Sequence, residues 1–188
     1  MRTPSSWSEM ERFLVDRMLG RLVSWLRMLG YDTVYANDVS GEGGGDDEDA
    51  FLLSLAKREK RILLTKDRRL AAEARKSGVR CVLMTGNDVL GQLHELAESV
   101  PLRLEMTFMR CSDCNAPIRR VREDETQLLL ETDYVPKKMI GKLDFWVCER
   151  CRRIYWEGSH WRAINERLDL LRRMMSKRRD GDERGGGE

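Results

Sequence analysis

The chain has 188 residues, enough for one hydrophobic core with a small appendage, since domains usually run to about 100 to 150 residues. Charged residues make up 35% of it but the net charge is only +2. No basic domain therefore indicates a nucleic-acid partner, and such a function must depend on local sites. No apolar stretch is long enough for a signal peptide or a membrane span, which predicts a cytoplasmic protein without a membrane partner.

The first hundred residues alternate short apolar runs with amphipathic helical patterns. Strands that alternate with helices at this spacing predict an α/β fold, a parallel sheet of four strands covered by helices on both faces. In chain order the elements are strand 13–15, a helix that ends at Gly30, strand 31–36, a loop rich in glycine and acid, helix 50–60, strand 61–65, helix 68–78, strand 79–85 and helix 89–100.

Aspartates follow the ends of several predicted strands. In open parallel sheets, ligands bind beyond the carboxyl ends of the strands. Carboxylates gathered there repel one another unless a cation neutralises them, and Mg²⁺ or Mn²⁺ prefers such oxygen ligands. The pattern predicts a metal site from Asp16 after the first strand, Asp67 after the third, Asp88 after the fourth, and Asp49 at the start of the second helix, with Asp46 and Asp47 beside it.

Helix capping is the alternative explanation for these acids. An aspartate at a junction of strand and helix is a good N-cap, and the acidic run at 46–47 is typical of a solvated loop. Asp67 fits capping less well, because Thr65 offers a better-placed cap. The joint placement of Asp16, Asp49 and Asp67 favours the metal site.

The second half contains two C-x-x-C pairs, Cys111 with Cys114 and Cys148 with Cys151. Disulfides are rare in the cytoplasm, and four thiolates from two such pairs form a tetrahedral Zn²⁺ site. The residues between the pairs exceed the usual spacing, which predicts an inserted hairpin or loop. A redox dithiol or unrelated surface cysteines are the alternatives. Cys81 stands alone in an apolar run and is expected in the core.

The aromatic residues after the second pair have two interpretations. Tyr155, Trp156 and Trp161 lie among arginines, a mixture suited to stacking on bases with phosphate contacts. A small domain short of aliphatic residues also fills its core with aromatics. We favour the core for Trp156 and leave Trp161 open. The segment 176–188 lacks apolar residues, which predicts disorder.

Several stretches together resemble one known family. They are "FLVDRMLGRLVSWLRMLGYDT", "DAFLLSLAKREKRILLTKD", "RCSDCN" and "FWVCERCRRIYWEGSHW". In this order they are similar to the Mut-seven C-terminal RNase domain family, a PIN-like nuclease fold with a zinc ribbon attached. The resemblance covers about residues 13–165. It implies a PIN-like domain at 10–104, a zinc ribbon with a closing helix at 105–175 and a tail at 176–188.

The resemblance also implies a metal-dependent ribonuclease whose active centre contains Asp16, Asp49 and Asp67. The glycine-rich insertion leaves open which acid of the run 46–49 is the second one. We choose Asp49 because it begins the helix with the apolar stripe in register, and we keep Asp46, Asp47 and Asp88 as further candidates. The cysteines Cys111, Cys114, Cys148 and Cys151 are implied to hold structural Zn²⁺.

The predicted reaction is hydrolysis of RNA phosphodiester bonds, in which carboxylate-bound Mg²⁺ or Mn²⁺ activates a water for in-line attack. Arg21 and Lys66 are expected to neutralise phosphate. Arg152 and Arg153 are expected to bind the single-stranded RNA partner. The alternative is a ribbon that docks RNA or a ribosomal component beside a vestigial pocket. The acids favour the enzyme, because a pure binder of polyanions gains nothing from a negative pocket.

Overall fold

The computed structural model describes residues 10–39 and 46–182, with the side chains at 46–47 and 177–182 outside that description. Its first part is the predicted α/β sandwich. A parallel sheet has the strand order β2-β1-β3-β4, which places β1 and β3 at its centre. The strands are β1 (Arg12–Val15), β2 (Asp32–Tyr35), β3 (Ile62–Thr65) and β4 (Cys81–Leu83).

Alternation along the central strands divides the core between the two faces of the sheet. Phe13 and Val15 belong to the cluster that helices α1 and α5 cover, whereas Leu14 belongs to the cluster under α3 and α4. The helices of this part are α1 (Gly20–Met28), α2 (Ala36–Val39), α3 (Asp46–Glu59), α4 (Arg68–Lys76) and α5 (Val89–Ser99). The predicted fold class is confirmed, with two differences: a short helix at α2, and a start of α3 before residue 50.

The second part is a small antiparallel ribbon with the strand order β5-β6-β7. Phe145 and Val147 from β6, together with Ile154 from β7, form its own apolar cluster with Leu129. The segment between the cysteine pairs supplies β5 and a short helix. The elements are β5 (Ile118–Arg120), α6 (Thr126–Glu131), β6 (Phe145–Cys148), β7 (Ile154–Trp156) and the long final helix α7 (Ser159–Asp182).

Helix α7 returns to the α/β part. Ile164, Leu168 and Leu171 are buried in the same cluster as Phe13, so this helix closes the larger core. The helix continues to Asp182, so residues 176–182, which the sequence predicts as disordered, are helical. Within the described ranges, no helix has the length and apolar character that a membrane span requires.

The ribbon is anchored at the end of the sheet where the strands begin. Arg27, which is buried in α1, donates to the backbone oxygens of Thr33 at 3.0 Å and Ser112 at 3.3 Å. Asn115 accepts a hydrogen bond from the Thr33 N–H at 3.1 Å and donates to Asp32 Oδ1 at 2.8 Å. These bonds join the first cysteine pair to the start of β2, at the edge opposite the carboxyl ends of the strands.

Candidate functional site

Thr65 joins the two aspartates that follow the central strands. Its hydroxyl donates to Asp16 Oδ2 at 2.7 Å and accepts from the Asp67 backbone N–H at 2.9 Å. Thr65 is fully buried, and the Asp16 N–H donates to the Leu64 carbonyl at 2.9 Å. The acids after β1 and β3 are thus held by one buried hydroxyl. We name the connected residues at the carboxyl ends of these strands the acid edge: Asp16, Glu48, Asp49, Thr65, Asp67 and Arg69.

Both of these aspartates also cap helices. Asp16 Oδ1 accepts from the Arg17 N–H at 2.6 Å, and Asp67 Oδ1 accepts from the N–H groups of Arg69 at 2.6 Å and Leu70 at 3.2 Å. The prediction that Thr65 is the better cap for the helix after β3 is wrong. Thr65 is the last residue of β3 and its side chain turns into the protein, so Asp67 is left to cap α4.

Asp49 is connected to Asp67 through Arg69. The Arg69 guanidinium donates to Asp49 Oδ2 at 3.2 Å, while its backbone N–H binds Asp67. Burial raises the pKa of Asp49, the Arg69 guanidinium opposes that shift, and the charges of Asp67 and Glu73 add to it. Asp49 therefore binds a proton more readily than an exposed aspartate.

The sequence predicts that Asp49 begins its helix. This prediction is wrong, because α3 starts at Asp46. Acidic side chains in the first turn of a helix interact favourably with the positive end of its dipole. This accounts for the start of α3 before Asp49. The side chains of the candidates Asp46 and Asp47 lie outside the described residues.

Glu48 is an acid that the sequence reasoning missed. Its side chain is only 10% exposed, and Glu48 Oε1 accepts from Arg17 Nε at 2.7 Å. Arg17 follows Asp16 directly, and its backbone N–H donates to the Asp16 carboxylate. Glu48 is therefore linked to Asp16 through Arg17. The sequence contains the signal, since Glu48 lies inside the acidic run 46–49, but the prediction names only the aspartates of that run.

The remaining candidates lie outside this network. Asp88 is exposed and caps α5 by accepting from the Gly91 N–H at 3.0 Å. Lys66 Nζ contacts Asn87 Oδ1 at 3.5 Å, and Arg21 is exposed in the first turn of α1. Asp16, Asp49 and Asp67 are connected through Thr65 and Arg69 and do not form a compact cluster of ligand atoms. Within residues 10–39 and 46–182, only the four cysteines form such a cluster.

The cysteines of the two C-x-x-C pairs meet with their sulfur atoms within 4.8 Å of one another. Sγ of Cys111 lies 3.5 Å from Sγ of Cys151, and Sγ of Cys114 lies 3.4 Å from Sγ of Cys148. A tetrahedral Zn²⁺ with bonds of about 2.3 Å separates its sulfurs by roughly 3.8 Å. The four cysteines are therefore positioned to hold a metal ion, and the geometry is compatible with zinc.

The two pairs have the same backbone geometry. The Cys114 N–H points at Cys111 Sγ and the Cys151 N–H at Cys148 Sγ, each at 3.4 Å. The residue after each pair, Asn115 or Arg152, has a positive φ, 63° and 64° respectively. This repeated turn aims backbone N–H groups at sulfur, which favours thiolate ligands. The Tyr155 hydroxyl also contacts Cys111 Sγ, at 3.0 Å.

The two arginines that were predicted to bind substrate differ in position. Arg152 occupies the positive-φ turn and is exposed. Arg153 pairs with Asp113 of the other cysteine turn. Burial lowers the pKa of Arg153, but Asp113, Tyr155 and Tyr134 together raise it above its usual value. Both lie in the ribbon, at the opposite end of the sheet from the acid edge.

Comparison with known proteins gives one match. The model of the Mut7-C RNAse domain family matches residues 11–168. No curated protein and no solved structure matches the chain. The match spans the sheet, the cysteine centre and the first part of α7, so it includes both the acid edge and the ribbon.

Proposed function

The chain belongs to the Mut7-C RNAse domain family, and from this premise we propose that it hydrolyses phosphodiester bonds of RNA at the acid edge. The observation that supports the proposal is the Thr65 hydroxyl between Asp16 and Asp67, at the carboxyl ends of the two central strands. Ligands of open parallel sheets bind at that end. A buried hydroxyl that holds two acids in fixed positions there is typical of a binding site, whereas acids on a solvated surface are free to move.

The donor set of the acid edge fits a hard divalent cation. Its acidic groups are carboxylates, the ligands that Mg²⁺ and Mn²⁺ prefer. Asp16 and Asp67 would hold the ion, and Asp49 would serve as a ligand or orient the attacking water. The bound ion supplies charge neutralisation and a more acidic water for in-line attack on phosphorus.

The chain's own residues prepare the site in three ways. Thr65 fixes the orientation of the Asp16 carboxylate, while the backbone of α4 fixes Asp67. Arg69 neutralises Asp49 and so limits repulsion between the acids. Arg21 and Lys66 are proposed to approach the phosphates of single-stranded RNA.

The ribbon has a structural role in this proposal. Cys111, Cys114, Cys148 and Cys151 are proposed to hold one Zn²⁺ that supplies folding energy to a segment with a small apolar cluster. Chemistry is assigned to the acid edge because the cysteines fill all four positions of a tetrahedral ion and leave none for substrate.

Labelled single-stranded RNA incubated with the protein and Mn²⁺ tests the activity. The informative variants are Asp16→Asn and Asp67→Asn, which keep shape and capping ability but remove charge. Asp88→Asn is the matched control, since Asp88 is an exposed cap outside the acid edge. We expect loss of about 100-fold or more in both test variants, and full activity in the control.

Circular dichroism and melting curves establish that all three variants are folded. Cleavage that persists without added divalent ion, or in folded Asp16→Asn and Asp67→Asn, would refute the mechanism. RNA binding by the parent without any cleavage would favour the alternative of a binding module with a vestigial pocket.

A further inference from the structure

A cavity of about 290 Å³ lies where the ribbon meets the α/β part. Residues from the end of α1, the connecting segment, the ribbon and the start of α7 surround it. Ligand pockets typically measure about 300 to 1,000 Å³, so this cavity is at the small end and suits a single base better than a larger ligand. It is separate from the acid edge and adjoins the cysteine cluster through Tyr155, whose hydroxyl contacts Cys111 Sγ.

The walls of this cavity are aromatic. Phe108 stacks on Trp161 with ring centroids 4.1 Å apart and planes within 12°. On its other side Phe108 stacks on Trp146 at 3.7 Å and 9°. Phe108 and Trp161 line the cavity together with Tyr155 and Trp156. Since Phe108 lies between the two tryptophans, an unpaired base would stack on the remaining face of Trp161.

Two arginines supply cationic groups to the lining. They are Arg110 and Arg153, which pair with Asp32 and Asp113 outside the lining, and among the described residues no aspartate or glutamate lines the cavity itself. Ser159 and His160 are the first two residues of α7, whose N-terminus carries partial positive charge and N–H groups without partners inside the helix. Aromatic walls beside positive groups match a nucleotide, which combines an apolar base with an anionic phosphate.

Helix α1 fixes the distance from this cavity to the acid edge. The helix begins beside the short 3-10 helix that follows Asp16, and Met28, its last residue, lines the cavity. Nine residues span about 13 Å along a helix. At the rise of about 3.4 Å per stacked nucleotide, this is roughly four nucleotides.

We propose that this cavity binds one nucleotide of the RNA strand, roughly four stacked nucleotides from the bond that is cleaved at the acid edge. The base lies against the aromatic walls, and its phosphate lies near Arg153 and the start of α7. The inference rests on the proposed function for its substrate, but binding in the cavity does not require the chemistry.

Binding is measured in the Asp67→Asn background without added Mg²⁺ or Mn²⁺, so that cleavage plays no part. The probe is a single-stranded RNA of twelve nucleotides in which each base in turn is replaced by an abasic unit. We expect one position at which base removal weakens affinity roughly tenfold. In a second variant with Ser159→Phe, which fills the cavity, that position is expected to lose its effect.

Arginine substitution provides an independent arm. Arg153→Gln is expected to weaken binding severalfold, whereas Arg150→Gln, on the same cysteine turn but outside the cavity lining, is expected to change little. Cysteine-bound metal content and melting temperature are compared in all variants. AMP and UMP are tested as free nucleotides, and both are expected to bind far more weakly than the strand.

A flat abasic profile, or equal effects of Arg153→Gln and Arg150→Gln, would overturn the proposal. Free AMP or UMP that binds as tightly as the strand would also overturn it, because the cavity would then serve a soluble nucleotide. If the parent protein does not cleave RNA but one abasic position still weakens binding, only the nuclease function would be rejected. Cleavage with a flat profile would reject the cavity alone.

Discussion

Replacing Thr65 by valine keeps the shape of a buried side chain and removes the hydroxyl that joins Asp16 to Asp67. Two hydrogen bonds are lost, one at 2.7 Å to a carboxylate and one at 2.9 Å from a backbone N–H. A bond to a charged acceptor contributes about 1.5 kcal/mol or more, and an N–H left without a partner costs about 1 kcal/mol or more. The free energy of unfolding is therefore expected to fall by about 2 to 3 kcal/mol.

Thr65→Ser is the matched control, because it keeps the hydroxyl and removes one buried methyl group at a cost of about 1 kcal/mol. For a chain of this size, 1 kcal/mol shifts the melting temperature by about 2 to 4 °C. We expect Thr65→Val to melt about 5 to 10 °C below the parent protein, and Thr65→Ser to lie in between. Urea unfolding measures the same difference at 25 °C.

Thr65 is buried and holds the Asp16 carboxylate, so under the proposed function its replacement should affect activity through metal binding. In Thr65→Val the Asp16 carboxylate can rotate, and more Mn²⁺ is needed for half-maximal cleavage. Thr65→Ser is expected to keep the Mn²⁺ dependence of the parent. The reasoning is refuted if the valine variant is as stable as the serine variant and responds to Mn²⁺ in the same way.

Two further predictions concern the contact between the ribbon and the sheet. Burial alone would raise the pKa of Asp32, but hydrogen bonds from Arg61 and Asn115 and nearby arginine charges lower it to about 2 from 3.8. Asp32→Asn should therefore cost about 2 kcal/mol at pH 7, a deficit that fades as pH falls from about 4 to 2 in urea titrations. Cys111→Ser should abolish binding of the proposed zinc and also speed hydrogen exchange at Thr33, whereas Cys81→Ser should change neither metal content nor exchange.

The α/β fold could be predicted from the sequence because the two central strands are mostly apolar runs and the helices carry clear stripes. Leu14 and Leu63 face one side of the sheet, and Phe13 faces the other, which is why their alternation is hidden in continuous apolar segments. The cysteine cluster could be predicted because C-x-x-C pairs encode their own turn. The start of α3 could not, since acids favour both loops and first helical turns.

The details of the acid edge depend on contacts that sequence spacing does not encode. Thr65 appears as an ordinary strand residue, and its role arises because β1 and β3 are neighbours, which brings Asp16 within reach. Arg69 bonds to both Asp67 and Asp49, one through its backbone and one through its side chain. These two bonds of Arg69 cannot be predicted from the sequence, because they depend on the relative positions of α3 and α4.

Helix α1 connects the two ends of the molecule. Its first turn follows Asp16 and the short helix that Asp16 caps, and its last turn carries Arg27, which binds the backbone beside the first cysteine pair. β2 makes the same connection in parallel, from Asp32 and Thr33 at the ribbon to Tyr35, whose hydroxyl donates to the Arg17 carbonyl at 3.0 Å. Two adjacent rigid elements thus fix the ribbon relative to the acid edge. A strand of RNA held in the ribbon cavity would therefore meet the acids at a fixed distance, which a flexible linker could not provide.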